Sequence, residues 1–271
     1  MAQDGAAERW REEAEFFDGL AAQRAGAAAP LDRRVIERYR EGGRLFPKEY
    51  YFRAMGDLRG KLVLDIGCGE GADALLLAAL GARVTAIDVS PKAIELARNR
   101  ARASGMEEDV EFICAPLETA RLRDRTFDVV CGDNILHHML PVLDETMARL
   151  VSYTKDDGRL VFVEPTNLNP TLRRIRFLVP VHTETTPGER PLEASDLRII
   201  EQHVGGLRKR HFTCLGRLTR FILPDMDYEN APLGRRPLVD LLCAIDYALL
   251  SIPKVETLGG MSVFYGQPRR R

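Results

Sequence analysis

The stretch Val63-Leu64-Asp65-Ile66-Gly67-Cys68-Gly69-Glu70-Gly71-Ala72 joins a short apolar run to glycines at alternate positions. An alanine- and leucine-rich run, residues 74–80, follows directly, so the order predicts a strand, a tight loop and a helix. Glycine is needed where the backbone turns sharply or where a ligand approaches the main chain, because a Cβ atom would obstruct both. The amides at the start of the next helix then face that ligand. The stretch therefore predicts a loop that binds a nucleotide-type cofactor.

Composition and charge describe a globular protein with a sizeable core. Of the 271 residues, 45% are hydrophobic and 29% are charged, and the formal net charge of −1 supplies no basic field for nucleic acid. We therefore expect a small-molecule substrate and no nucleic-acid partner. No apolar run approaches the roughly 18 residues that a transmembrane helix needs. Residues 1–26 are charged and alanine-rich, without the apolar centre of a secretory signal.

The cysteines favour a cytoplasmic protein. There are five, none in a CxxC pair, and several lie in or beside strand-like runs, which indicates reduced thiols. No cysteine and histidine spacing resembles that of a metal site, so we expect no bound metal.

Strands and helices alternate between residues 61 and 165. Strand patterns fall at residues 62–66, 83–87, 110–114, 127–132 and 159–164, and helical patterns at residues 73–80, 91–104 and 141–153. This alternation predicts right-handed βαβ units and a parallel sheet that binds ligands at the carboxyl ends of its strands. Residues 209–213 and 261–265 add two strand patterns. We therefore expect an α/β fold with a Rossmann-like, seven-stranded, mostly parallel sheet flanked by helices.

The flanking segments are expected to complete one domain of residues 1–271. Residues 1–60 form a helical cap or lid, residues 61–165 the cofactor-binding core, and residues 166–271 a substrate-side loop, helices and the last strands. In the aromatic run at residues 46–52, Tyr50 and Tyr51 either line an acceptor site or cover the edge of the sheet. The apolar helix at residues 238–250 either encloses an acceptor or packs in the core, and its amphipathic pattern favours the core.

The acidic residues of the loop discriminate between cofactors. Gly67-x-Gly69-x-x-Ala72, with Asp88 about 20 residues further on, also fits a dinucleotide loop. A pyrophosphate, however, would meet Asp65 and Glu70 with no lysine or arginine nearby in the sequence, and like charges at that range are unfavourable. S-adenosylmethionine carries no phosphate, but it has an ammonium group and a positively charged sulfur. Asp133, after the fourth strand, adds another carboxylate at the same edge.

Four segments together resemble the class I S-adenosylmethionine-dependent methyltransferases over residues 45–165. They are Leu64-Asp65-Ile66-Gly67-Cys68-Gly69-Glu70-Gly71, Ala86-Ile87-Asp88-Val89-Ser90, Phe127-Asp128-Val129-Val130 with Leu136-His137-His138, and Gly158-Arg159-Leu160-Val161-Phe162-Val163-Glu164-Pro165. The resemblance implies S-adenosyl-L-methionine as cofactor and an antiparallel last strand. It also implies that the loop passes close to the methionine part and that Asp65 orients the loop amides and the cofactor ammonium.

The same resemblance implies that Asp88 accepts hydrogen bonds from the ribose hydroxyls and that Val89 lies against the adenine. Where the family often has an acid for the adenine amino group, this chain has Pro116, so adenine recognition falls to the backbone of Ala115 or Leu117, or to Glu118. The predicted cofactor site consists of Asp65, Gly67, Cys68, Gly69, Asp88, Val89, Ala115, Pro116, Leu117, Asp133 and Asn134.

His137 and His138 are the candidates for a general base, because histidine titrates near neutral pH and both follow the fourth strand. Adjacent side chains on a turn point differently, so at most one is expected to act; alternatively one caps the backbone and the other packs on a helix. Glu164 either contacts the acceptor or pairs with an arginine. His182 either belongs to a substrate loop or is a surface residue.

These observations predict methyl transfer to a small-molecule acceptor such as a secondary metabolite, a quinone or a lipid-like compound. The alternatives are a methyltransferase-like protein with a non-methylating role and an NAD-linked oxidoreductase. The latter needs a Tyr/Lys or His/Asp catalytic pair, and the sequence offers no convincing example.

Overall fold

The structure, a computed structural model, describes residues 2–23, 29–124, 126–169, 189–223 and 227–270. Seven strands form one sheet in the order β3-β2-β1-β4-β5-β7-β6. The strands are β1 Leu62–Ile66, β2 Arg83–Asp88, β3 Val110–Cys114, β4 Phe127–Asp133, β5 Thr154–Pro165, β6 Val204–Phe212 and β7 Met261–Pro268. Strands β1 to β5 are parallel, and β7 runs antiparallel to both β5 and β6. The predicted fold class, including the antiparallel last strand, is confirmed.

The helices flank this sheet on both faces. They are α1 Ala2–Gln23, α2 Arg33–Glu41, α3 Pro47–Met55, α4 Ala72–Ala79, α5 Pro91–Ser104, α6 Leu143–Tyr153, α7 Ala194–His203, α8 Thr219–Ile222 and α9 Arg236–Leu249. Successive side chains of a strand point to opposite faces, so the near-continuous apolar run of β1 serves both layers. Val63 belongs to one buried cluster, with α3 and α4, while Leu64 and Ile66 belong to the other, with α6 and α7.

Two strands begin earlier than the sequence predicts. β5 begins at Thr154, because residues ahead of Arg159 continue the pairing with β4 across a register shift. β6 begins at Val204, although Gly205 and Gly206 weaken the local strand pattern, because β7 pairs with this segment across a second shift. In each case the neighbouring strand, rather than the local residue preference, determines where the strand begins.

Helix α9 does not lie in the core, so the interpretation favoured by its sequence is wrong. Val239 and Asp246 are buried, while Leu238, Leu241 and Ile245 are 52%, 57% and 48% exposed. The helix is apolar on two faces, and only one of them packs against the body of the protein. No helix in the described part of the chain combines the length and hydrophobicity that crossing a bilayer requires.

A buried carboxylate attaches α9 to the segment that follows β6. Asp246 is 3% exposed, and its oxygens accept hydrogen bonds from the amides of Thr213, Leu215 and Gly216 at 2.9, 2.6 and 3.0 Å. These amides precede α8 and have left the regular pairing of β6. The carboxylate therefore satisfies backbone donors that the turn leaves open and holds α8 against α9.

We expect Asp246→Ala to lower the free energy of unfolding by about 3 kcal/mol, because it leaves several buried amides without an acceptor. Urea denaturation of both proteins measures the difference. Glu37→Ala on α2, which removes an exposed i,i+4 pair with Arg33, is the matched control and should change stability by less than about 0.5 kcal/mol. Equal stability of Asp246→Ala and the wild type would contradict this role.

Candidate cofactor and acceptor site

The loop after β1 has the backbone that its glycines predict. Gly67 has a φ of +66°, and a Cβ built on it would lie 2.5 Å from Cδ1 of Ile135. Gly69 has a φ of +49°, and no atom lies within 4 Å of a Cβ built there. Its amide donates to Oδ2 of Asp88 at 2.8 Å. Gly67 thus lets Ile135, in the turn after β4, come close to its backbone. Gly69 leaves open space in front of the backbone.

A cavity of about 720 Å³ lies at the carboxyl ends of β1, β2 and β4. Its lining contains every predicted cofactor residue except Pro116: Asp65, Gly67, Cys68, Gly69, Asp88, Val89, Ala115, Leu117, Asp133 and Asn134. Pro116 lies outside the lining because it begins a turn, in which its carbonyl accepts from the amides of Thr119 and Ala120. The parallel strands therefore bring most of the predicted residues to one edge, and their binding roles stay predictions.

Helix α1, part of the helical cap predicted for residues 1–60, contributes to the wall of this cavity, although none of its residues was a predicted site residue. Trp10, Glu13 and Phe17 contribute to its lining. Asp18 holds the helix in place, since its Oδ1 accepts from the Ser90 hydroxyl at 2.5 Å and from an amide at the start of α5 at 3.0 Å. The spacing of Trp10 and Phe17 predicts an amphipathic helix, but nothing local identifies the surface it covers.

Asp65 is suited to a cationic ligand. It is 2% exposed, lines the cavity, and its Oδ2 has no hydrogen-bond partner within the described residues. Burial raises the pKa of Asp65 well above its usual range, and the nearby Asp73 adds to that effect. A bound cation would stabilise the charged carboxylate and provide the missing partner. An ammonium group fits this position, as S-adenosylmethionine requires.

Lys48 supplies positive charge that the sequence argument did not include. Its Nζ lies 2.5 Å from Oδ2 of Asp73 and also contacts Oδ2 of Asp133. Burial alone would lower the pKa of Lys48, but these two carboxylates outweigh it and raise the pKa. Lys48 therefore stays protonated. Its partners lie 25 and 85 residues away in the sequence, so no local pattern could have identified them.

The prediction that the loop carboxylates have no basic neighbour is thus wrong in three dimensions. Besides Lys48, Arg100 of α5 pairs with Glu70 at 3.3 Å, so Glu70 is not an isolated negative charge in the loop. A pyrophosphate is consequently disfavoured by Asp65 alone, whose Oδ2 has no hydrogen-bond partner among the described residues.

A second cavity, of about 310 Å³, shares Lys48, Asp133 and Asn134 with the first. Most of its remaining wall is apolar, with Leu45, Phe46, Val163, Phe212, Leu223, Val239 and Met261. Asn134 has a φ of +55°, which is uncommon for a residue other than glycine, and its side-chain amide donates to Asp133 at 2.7 Å. This strained residue belongs to the common boundary of the two cavities, as strained residues often do at functional sites.

Glu164 positions the turn after β4 and does not line either cavity. It is fully buried, and its Oε1 accepts from the amides of Ile135 and Leu136 at 2.9 and 2.7 Å. Its Oε2 lies 2.7 Å from Nδ1 of His137. Glu164 therefore pairs with two amides and the His137 imidazole and not with an arginine, while its predicted contact with the acceptor stays a prediction.

The structure distinguishes the two adjacent histidines. Burial lowers the pKa of His137, but the Glu164 carboxylate outweighs it and raises the pKa above the ordinary value. Since Nδ1 of His137 faces Glu164, Nε2 is the nitrogen left for the cavity that this residue lines. For His138, burial and then the neighbouring His137 lower the pKa to about 4. His137 is thus the better candidate for a base near neutral pH.

His137, His138 and Glu189 also form the one described group whose donor atoms are close enough to hold a metal, all within 4.8 Å of one another. Nδ1 of His138 lies 2.9 Å from Oε1 of Glu189. The sequence predicts no metal, and its cysteine and histidine spacing has no signal for this group, because Glu189 follows the histidines by some 50 residues.

Tyr50 and Tyr51 do not line either cavity, so the acceptor role predicted for them does not agree with their positions. Tyr51 is fully buried against Phe52, with ring centroids 5.4 Å apart. Tyr50 packs on Phe212 and Tyr265 at 5.5 and 6.4 Å. Both lie on α3, which packs chiefly against β5 and β7, strands inside the sheet, so the alternative interpretation, cover of the sheet edge, is met only by the contact of Tyr50 with Phe212 of the edge strand β6. His182, the remaining substrate candidate, lies outside the described residues.

Known proteins share this core. Residues 63–158 match the model of a family described as a methyltransferase domain. A ubiquinone biosynthesis O-methyltransferase of Methylocella silvestris is 36% identical over 152 residues, which are 56% of this chain and 56% of that protein. The mitochondrial ubiquinone biosynthesis O-methyltransferase of Schizosaccharomyces pombe is 40% identical over 111 residues, 41% of this chain and 40% of its own. The chain spans about half the length of the curated relatives it matches.

Solved structures share the fold. The cyclase SpnF has a TM-score of 0.54 at 19% identity, covering 81% of this chain and 79% of its own. Phosphoethanolamine N-methyltransferase 2 of Haemonchus contortus, in complex with S-adenosyl-L-methionine, has a TM-score of 0.53 at 14% identity, covering 82% and 52%. Identities this low show the fold alone. Residues 63–158, which carry the glycine loop and strands β2 to β4, are thus similar to a methyltransferase domain, and the described chain has the fold of these solved structures.

Proposed function

We propose that this protein transfers a methyl group from S-adenosyl-L-methionine to a hydroxyl of an apolar small molecule, such as a quinone-like or lipid-like acceptor. The observation that carries the proposal is the common boundary of the two cavities at Lys48, Asp133 and Asn134. One cavity holds the glycine loop and Asp65, whose Oδ2 has no partner within the described residues, and the other is mainly apolar. Two ligands of different character can therefore meet at this boundary. The names of the ubiquinone biosynthesis relatives support the acceptor class.

Binding in the first cavity is assigned to residues that suit a cationic, phosphate-free cofactor. Asp65 would hold the ammonium group, and Gly69 would allow the ligand to approach the backbone. Asp88 already accepts from the Gly69 and Ser90 amides, so it fixes the loop in addition to reaching the ribose. When bound, the cofactor supplies a methyl group on a positively charged sulfur, which is a good leaving group, so positioning is the protein's main contribution.

Proton removal is assigned to His137. Its Nε2 would take the proton of the acceptor hydroxyl while Glu164 keeps the imidazole oriented and stabilises its charged form. Lys48 is protonated and cannot act as a base, but its ammonium group can stabilise the negative charge that develops on the acceptor oxygen. Asp65 and Gly69 would hold the cofactor as it gives its methyl group to the acceptor oxygen and leaves as S-adenosylhomocysteine, and His137 would keep the proton.

Replacing Asp65 by alanine tests the cofactor site. Isothermal titration calorimetry should show that the wild type binds both S-adenosylmethionine and S-adenosylhomocysteine at micromolar concentration. Asp65→Ala should bind about 30-fold more weakly, which corresponds to about 2 kcal/mol for a lost bond to a charged group. Asp57→Ala, which removes an exposed carboxylate, should leave the affinity unchanged. Equal affinity of Asp65→Ala and the wild type, or no binding of either ligand to the wild type, would contradict the proposal.

Glu164→Gln tests the orientation and charge of His137. We expect the pKa of His137, followed by NMR, to fall in the variant, since burial then acts without the opposing carboxylate. The acid limb of the methyl-transfer rate should move to lower pH in parallel. Folding raises the pKa of His137, so its pair with Glu164 contributes its full stabilisation below about pH 6.5. This contribution is lost as the pH rises through the pKa of His137 in the folded protein. Glu37→Gln is the control, and an unchanged His137 titration in Glu164→Gln would refute the pairing.

Enlarging a side chain in the second cavity tests where the acceptor binds. Val239 is 2% exposed and lines this cavity, so we expect Val239→Phe to raise KM for an acceptor about tenfold or more by occupying its space. The acceptor is first identified by mass-spectrometric screening of hydroxylated quinones and phenols for methylated products. The affinity for S-adenosylmethionine should not change. Leu238→Phe, on the outer face of α9, is the matched control. If both variants keep the wild-type KM, the acceptor does not bind there.

A further inference from the structure

An apolar patch covers the outer surface of the C-terminal helices. Within the described residues, every large apolar side chain that is strongly exposed lies between residues 218 and 252. Six of them define the patch: Leu218, Phe221, Leu238, Leu241, Ile245 and Ile252, with exposures from 47% to 72%. Single exposed apolar side chains are normal on a protein surface, but a concentration of them in one segment indicates an interaction site.

The patch is an ordered surface. In α9, Leu238, Leu241 and Ile245 follow at intervals of three and four residues, so they share one face of the helix. A neighbouring face is anchored by the buried Asp246, which accepts hydrogen bonds from three amides of the segment before α8. Arg235 adds a bond from its Nη1 to the carbonyl of Ile222 at 3.1 Å, so α8 and α9 are also connected directly.

The charge around the patch is basic. Among the described residues 214–223 and 227–256, the exposed charged residues are Arg217, Arg220, Arg235, Lys254 and Asp227. The other acidic residues of these ranges are Asp246, which is buried, and Asp240, Glu229 and Glu256, which are partly exposed; Asp240 pairs with Arg44 and Glu229 with Arg38. The outer surface of α8 and α9 thus combines apolar side chains with an excess of positive charge, although the whole protein has a net charge of −1.

We propose that the apolar patch docks on the surface of an anionic lipid bilayer. Leucine, isoleucine and phenylalanine side chains at the headgroup boundary gain hydrophobic energy, while arginine and lysine beside them attract lipid phosphates. A second copy of this chain is a poorer occupant, since a symmetric contact would bring the basic residues of both copies together. The inference goes beyond the proposed function, because docking needs no methyl transfer.

Docking would place the second cavity directly behind the membrane-facing helices. The inner sides of α8 and α9 contribute Thr219, Leu223, Val239 and Cys243 to its lining. The same two helices therefore face the lipid on one side and the apolar cavity on the other. An acceptor dissolved in the bilayer would have a short path to the cavity, a consequence that rests on the proposed function.

Vesicle flotation with the full chain tests the docking. Vesicles of phosphatidylglycerol and phosphatidylcholine are compared with vesicles of phosphatidylcholine alone, at low and at high salt. We expect the protein to float with the anionic vesicles and to be partly released by salt. The triple variant Leu238→Ser, Leu241→Ser, Ile245→Ser should have an affinity for anionic vesicles at least about tenfold lower, because it removes the inserted apolar area. Arg220→Glu with Lys254→Glu should also reduce binding.

Arg33→Glu with Lys92→Glu, an equal charge change at exposed positions away from the patch, is the matched control and should float like the wild type. Circular dichroism and the urea midpoint check that each variant is folded. Failure of the wild type to float, or equal flotation of the patch variants, would overturn the proposal. So would a dimer in light scattering that the triple variant abolishes while no form binds vesicles. None of these measurements involves methylation, so they are independent of the proposed function.

Discussion

The contact of Lys48 with Asp73 and Asp133 is the interaction on which the site depends. Parallel strands end at the same edge of the sheet, so β1 and β4 bring Asp65 and Asp133 together, and α4 adds Asp73. The negative charges of three neighbouring carboxylates at that edge would repel one another. Lys48 compensates part of this charge, and Asp65 remains available for a cationic ligand. The same lysine lines both cavities, so its positive charge acts on both.

Other buried carboxylates fix the loops around this point. Asp88 accepts from the amides of Gly69 and Ser90, Glu164 from those of Ile135 and Leu136, and Asp246 from three amides before α8. Each loop leaves a regular element and would otherwise bury unpaired donors. An acidic residue after a strand is therefore ambiguous in a sequence. It can bind a ligand, as proposed for Asp65, or hold the backbone, as Glu164 does.

The C-terminal helices connect the two proposals. An apolar helix that must both enclose a cavity and contact a membrane needs hydrophobic residues on opposite sides, and α9 has them. The sequence pattern of such a helix predicts a core helix, because hydrophobic spacing does not show what packs against each side. Asp246 and Asp240 interrupt the pattern for separate reasons. The first satisfies backbone amides, and the second pairs with Arg44 and Tyr228.

The sequence by itself determined the order of strands and helices, the glycine loop and the cofactor edge. These follow from local signals: hydrophobic period, helix caps, and glycine where a side chain would clash. Only the tertiary structure decided which charged residues meet. Lys48, Arg100 and the Trp10 side of α1 reach the cofactor cavity from distant parts of the chain, and no spacing encodes such contacts. It also decided that Glu164 supports His137, that Tyr51 is buried, and that α9 is exposed, because burial depends on what packs against a residue.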